Sequence, residues 1–247
     1  MNKILILAAA ITASSSAAFA GGAAAPETEA AVAASVAPAE AHDWSGFYAG
    51  ASVGQNNGAD DWAGEYFFGG SPVGSSSGSF DAEGSTAGLQ AGANMQFDNI
   101  VVGIEGDLSW GDISGEGAAI DPLNPNPTVP SVSFDRMGSV RGRVGVAMGQ
   151  VLLYGTAGWA AASGSMGLTN LDGAGDDRTA DISANGWTAG VGAEVALSEH
   201  LSLKGEYLNT SLTMDENRFG DVLPADDLAV NGTFDVQTFK IGLNYSF

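Results

Sequence analysis

Residues 239–247 alternate throughout: Phe239, Ile241, Leu243, Tyr245 and Phe247 are large and apolar, and Lys240, Gly242, Asn244 and Ser246 between them are small or polar. A period of two is the geometry of a strand, whose successive side chains leave on opposite faces, so this segment has one greasy and one polar face. The same alternation returns along the chain. Residues 86–97 put Ala87, Leu89, Ala91, Ala93, Met95 and Phe97 on one side, with Thr86, Gly88, Gln90, Gly92, Asn94 and Gln96 on the other. Asp98-Asn99 supplies turn chemistry, and 100–110 resumes the pattern with Val102, Ile104, Leu108 and Trp110, which predicts a hairpin. A second hairpin is predicted over 133–148 and 151–163 around Gly149-Gln150, with Phe134, Val140, Val144, Leu153 and Trp159 on the apolar face. A third spans 184–197 and 201–208 around Ser198-Glu199-His200. With further strands at 45–56 and 234–247, eight are expected.

The connections alternate in length. Short turns fall near 98, 149 and 198, and long segments at about 57–83, 111–132, 166–181 and 209–233 are predicted to be loops. Bacterial outer-membrane barrels have an even strand number, short periplasmic turns and long external loops, and closing the ring leaves no unpaired edge for lipid to meet. The expected fold over 44–247 is therefore all-β: an eight-stranded antiparallel up-and-down transmembrane β-barrel. A soluble β-sandwich gives the same one-sided alternation. The aromatics favour the barrel, because they gather at strand ends as two interfacial girdles: Phe47, Phe97, Tyr245 and Phe247 beside short turns, Trp110, Phe134 and Trp187 beside long segments. The other face is mostly Gly, Ala, Ser and Thr, which suits a narrow lumen better than a solvated surface.

The N-terminus adds a compartment. Lys3, the apolar run from Ile4 to Ile11 and the small-x-small pattern Ala18-Phe19-Ala20 predict an export signal over 1–20. Residues 21–43, rich in Ala, Pro and Glu, predict a flexible or weakly helical linker. The expected location is the outer membrane of a Gram-negative cell. The chain has no cysteine, which excludes a lipid-anchor cysteine, a disulfide framework and a thiolate metal site. With 29 Asp and Glu against 8 Lys and Arg, nucleic-acid binding is not expected.

Chemistry has few candidates. A surface hydrolase needs a base near the external rim, yet the two histidines are His42, in the linker, and His200, in a predicted periplasmic turn. No catalytic residue and no cofactor are expected. Carboxylates crowd the long segments at Asp60, Asp61 and Glu65, at Asp172, Asp176 and Asp177, at Asp215 and Glu216, and at Asp221, Asp226 and Asp227. None has the spacing of a dedicated calcium loop, so they read as solvated acids that hard divalent cations would bridge to lipopolysaccharide phosphates. Charges within the strands say more. Parity points Glu105, Asp107, Arg141, Arg143, Glu194, Lys204, Glu206 and Lys240 into the lumen, acids and bases in equal number. In so narrow a space they are expected to pair as a filling ion network rather than line a selective path.

Several segments resemble one family: Trp44-Ser45-Gly46-Phe47-Tyr48-Ala49-Gly50, Val102-Gly103-Ile104-Glu105-Gly106-Asp107, Gly138-Ser139-Val140-Arg141-Gly142-Arg143-Val144-Gly145, Tyr154-Gly155-Thr156-Ala157-Gly158, Leu203-Lys204-Gly205-Glu206-Tyr207 and Gly242-Leu243-Asn244-Tyr245-Ser246-Phe247. They are similar to segments of the small outer-membrane β-barrels of α-proteobacteria, the outer-membrane immunogenic or porin-family proteins. The resemblance covers Trp44 to Phe247. It implies an eight-stranded barrel whose C-terminal aromatic, here Phe247, is read by the outer-membrane assembly machinery, and it brings no catalytic residues. The reading that follows is a non-enzymatic barrel that contributes to envelope integrity, sits in outer-membrane lipid and lipopolysaccharide, and presents acidic loops. A narrow porin-like channel for small solutes and a loop-mediated adhesin or receptor stand as alternatives.

Overall fold

The computed structural model describes residues 42–117, 129–169, 177–220 and 227–247. Eight strands fill these ranges: β1 (Gly46–Phe68), β2 (Ser71–Phe97), β3 (Ile100–Glu116), β4 (Val129–Met148), β5 (Val151–Thr169), β6 (Arg178–Ala196), β7 (Leu201–Gly220) and β8 (Asp227–Ser246). Each pairs antiparallel with its sequence neighbours, and β1 pairs with β8 from Tyr48↔Ser246 to Phe67↔Asp227, which closes the ring. The short turns carry the backbone they need. Asp98 and Gly149 have φ of 53° and 65°, a left-handed conformation that Asp tolerates and Gly adopts freely.

The strands run much farther than their apolar alternation predicts. Residues 57–83, expected as a loop, continue β1 and β2 to a turn at Gly69-Gly70, with one register shift between Tyr66 and Phe67 that leaves Val73 as an extra residue. β2 alone has 27 residues, whereas about 9–11 suffice to cross a bilayer. The Gly, Ser and Asp content of this stretch weakens its own strand preference. Pairing of β1 with β8 as far as Phe67, and of β1 with β2 throughout the hairpin, overrides that weakness, whereas β2 meets β3 only from Ala82 onward. Parts of the other long segments are likewise strand: 111–116, 129–132, 166–169, 178–181, 209–220 and 227–233. The expected export signal, the linker up to residue 41, and Asp172, Asp176, Asp221 and Asp226 lie outside the described residues.

Two regimes stack along the barrel. Near the short turns the outer face is apolar, and the inner face is polar beyond a small apolar plug at the very end. On β3 this belt runs from Ile100 to Trp110, the ~10 residues that a tilted crossing strand needs. Farther out the phase reverses. On β8, Phe239, Ile241 and Leu243 point outward, whereas Phe234 and Val236 point inward and are buried. On β7, Leu203 and Tyr207 are outward, while Leu212 and Met214 are inward. The backbone does not turn over here; the hydrophobic positions move from odd to even numbers. Ile113, Phe134, Met166, Ile182, Leu212 and Phe234 thus form an apolar core inside the outer part of the ring. Asp112, Ser114, Asp181, Ser183, Asp235 and Gln237 are exposed on its outside. Beyond the belt, the chain is built like a water-soluble β-barrel.

Phe134 corrects one expectation. Read as an outward girdle aromatic, it is instead 2% exposed inside the core, edge-on to Phe234 at 4.9 Å between ring centroids. Its strand shifts register between Phe134 and Arg136, so Asp135 is an extra residue against β5. The shift flips parity: Val132 and Phe134 face inward above it, Met137, Arg141 and Arg143 below it.

Candidate functional site: the lumen

Four layers fill the barrel. At the turn end Trp44, Val101, Leu152, Tyr154 and Ala196 make a small apolar plug. Next comes the ionic layer. Above it Asn56, Thr86, Thr188, Thr210 and Thr238 form a neutral polar layer, tied by Asn56 Nδ2 donating to Thr86 Oγ1 (3.2 Å), Thr238 Oγ1 donating to Asn56 Oδ1 (2.8 Å) and the Thr188–Thr210 hydroxyl pair (2.8 Å). A cavity of only about 30 Å³ lies among these groups and Lys240. The apolar core described above closes the outer side.

The ionic layer is organised by register first and by reach second. Glu105 and Arg141 are direct partners across β3 and β4, Glu194 and Lys204 across β6 and β7, and Glu206 and Lys240 across β7 and β8. Their bonds then cross the lumen. Glu105 accepts from Arg141 Nη2 at 2.6 Å, from Lys204 Nζ at 2.9 Å on both oxygens, and from the Tyr48 hydroxyl at 2.7 Å. Arg141 also reaches Glu206 (3.0 Å) and Asp107 (3.4 Å). Arg143 donates to Glu194 at 3.0 Å and to Tyr48 Oη at 2.9 Å, with its guanidinium 4.0 Å from the Tyr154 ring centroid. Asp107 accepts from Lys240 Nζ at 2.6 Å and from the Ser139 hydroxyl. Glu194 takes two further bonds, from Ser202 Oγ (2.5 Å) and Asn244 Nδ2 (2.7 Å).

All eight charges expected in the lumen are therefore inside and in contact. An isolated charge here would be very costly, and each is instead matched by opposite charge and hydrogen bonds. The set sums to zero, so the net −21 of the chain lies outside this layer. Parity alone overlooked Tyr48 and Tyr154, which brace the network. The signal was available, since Phe47 and Leu153 point outward and their neighbours must then point inward. Two glycines make room for them: a Cβ on Gly92 would stand 2.4 Å from Tyr48 Oη, and one on Gly192 2.4 Å from the Tyr154 ring.

The remaining expected residues are elsewhere. Phe47, Phe97, Trp110, Trp187, Tyr245 and Phe247 all point outward and are 44–78% exposed. His200 stacks on Tyr245, and His42 sits edge-on to Trp44, both at the turn end of the barrel. Among the described residues, no group of three or more His, Asp or Glu is placed to hold a metal ion.

A closed ring with a greasy belt and a polar interior has a counterpart among known proteins. The outer membrane protein beta-barrel domain matches residues 28–247. The chain belongs to that family. The 31 kDa outer-membrane immunogenic protein of Brucella melitensis is 32% identical over 230 residues, covering 87% of this chain and 88% of that one. The 22 kDa outer membrane protein of Rhizobium leguminosarum bv. viciae is 28% identical over 212 residues, covering 84% and 80%. Among solved structures, the outer membrane protein OprG of Pseudomonas aeruginosa aligns with a TM-score of 0.49 at 14% identity, covering 84% of this chain and 98% of that one. This outer-membrane barrel thus falls with the small α-proteobacterial barrels, and its compartment is the Gram-negative outer membrane.

Proposed function

We propose that this family member is a non-enzymatic, non-conducting barrel that spans the outer membrane by its apolar belt, holds an acidic extension outside the cell, and contributes to envelope integrity. The filling of the lumen carries this reading. Two apolar layers enclose an ionic and a hydroxyl layer, and the cavity found between them has room for only a few water molecules. Outward Asp81, Glu83, Asp112, Glu116, Asp181 and Asp235 make the extension acidic, which suits divalent cations that bridge carboxylates to lipopolysaccharide phosphates. The outward aromatics serve as the two girdles, without Phe134. Phe247, exposed at the turn end, remains the group offered to the assembly machinery.

Planar-bilayer recording of the refolded protein tests the seal. A silent membrane containing heat-modifiable, folded barrel is expected; reproducible conductance steps would establish the narrow-channel alternative. The belt is tested separately. Val191, outward and mid-belt, should cost about 2–4 kcal/mol of folding free energy in lipid when replaced by Arg, because a cation is forced into hydrocarbon. Ser183→Arg, on the same strand beyond the belt, should change stability by less than about 0.5 kcal/mol, as at a solvated surface. Equal costs at the two positions would remove the belt from the bilayer.

A further inference from the structure

The outer face of the belt is not uniformly ridged. Open grooves of about 670–830 Å³ run down it, and the one between β1 and β5 has about 830 Å³. Ala49, Ala91 and Gly106 are consecutive register partners across three strands and leave its floor low. A Cβ on Gly106 would meet nothing closer than Ser139 O at 3.8 Å. Trp110 and Trp159 flank the upper part, and Arg136, the register partner of Trp110, stands at the top.

Arg136 is out of keeping with its surroundings. Among the described side chains it is the one Lys or Arg outside the lumen, on a surface otherwise rich in carboxylates. Its ion pair is with the adjacent Asp135 at 3.8 Å, and both side chains are more than 60% exposed. A pair so open to solvent does little to hold the guanidinium. A guanidinium is the side chain best shaped for a phosphate, and at the belt's edge it meets water and lipid together. Directly below it Leu108 covers Gly138, and past Leu108 and Leu89 the floor drops to the row of small residues. An anionic head above an apolar tail fits this sequence of surfaces, whereas a second copy of the chain would set one carboxylate-rich surface against another.

We propose that the groove holds one phosphorylated glycolipid of the outer leaflet, with its phosphate on Arg136 and an acyl chain laid over Ala49, Ala91 and Gly106. The inference rests on the proposed orientation, in which the Gly69-Gly70 end of the barrel faces outward and Arg136 therefore lies at outer-leaflet depth.

The test uses the full chain refolded in detergent, with diphosphoryl or dephosphorylated lipid A added, and retained lipid counted by native mass spectrometry. Wild type should retain one diphosphoryl lipid A and little of the dephosphorylated form. Arg136→Gln should lower retention of the diphosphoryl form by about tenfold or more, the scale of a lost charge-assisted bond. Gly106→Ile, which fills the trough at a strand position favourable to Ile, should lower retention with Arg136 intact. Unchanged retention in Arg136→Gln would overturn the site, as would loss of a dimer, rather than of lipid, in Gly106→Ile. Orientation is read independently, because the chain has no native cysteine. Ser183→Cys should react with an impermeant maleimide on intact cells. No reaction there, with reaction after lysis, would overturn the orientation itself; reaction together with unchanged lipid retention would remove only the lipid site.

Discussion

Replacing Arg141 by Met should destabilise the barrel in lipid vesicles by about 3–5 kcal/mol, the range for a buried ion pair broken on one side. Arg141 is 1% exposed and contacts Glu105, Asp107 and Glu206. Lys204 would still hold Glu105 and Lys240 would still hold Asp107. Glu206 loses the most, because its other ion pair, with Lys204, is at 4.0 Å. Glu206→Gln in the Arg141→Met background should therefore recover part of the loss, and urea titration of the four variants measures the coupling. Additivity within about 0.5 kcal/mol would mean that water solvates each charge independently, and the sealed lumen would fail with it.

The second large effect belongs to the outer core. Phe134→Ala should cost about 3–5 kcal/mol, as for a large aromatic removed from a packed interior. Its site should be visible too. Loss of the contact with Phe234 at 4.9 Å loosens the part of the ring beyond the belt, so protease should trim the outer ends of β4 and β8 while the belt-spanning fragments survive in the vesicle. An aromatic lying outward on the surface would cost far less, and a loss of under about 1 kcal/mol would place Phe134 back outside. Hydrogen exchange at Val132 and Val236 provides a parallel readout.

The belt was legible in the sequence because lipid and lumen select opposite side chains at every step: Ile100 to Trp110 and Phe239 to Phe247 can be assigned by parity alone. The eight lumen charges followed from the same rule. What parity could not supply was reach. Glu105 finds Lys204 four strands farther along the chain's order, a contact fixed by ring diameter and shear rather than by local pattern. The extent of β1 and β2 is hidden because Gly, Ser and Asp are poor indicators of a strand held by pairing with its neighbours rather than by its own side chains. The reversal of phase was written in the sequence, since Leu212, Met214, Phe234 and Val236 sit on even numbers while Leu203, Tyr207, Phe239 and Ile241 sit on odd ones. It marks where the solvent outside changes from lipid to water. Phe134 was misplaced for a different reason. One inserted residue at Asp135 inverts every assignment above it, and such a shift leaves no trace in an alternation already broken by Asp135-Arg136.

The eighth strand has a role that its position near the ring seam makes specific. Lys240 bonds Asp107 on β3, Asn244 bonds Glu194 on β6, and Thr238 bonds Asn56 on β1. Without this strand Asp107 would lose its lysine and β1 and β7 would expose unpaired backbone at the seam. A chain ending after β7 is thereby expected to leave the ring open and the ionic layer one cation short together, so protease should cut it readily in vesicles where the full chain resists, and limited proteolysis of the two checks it.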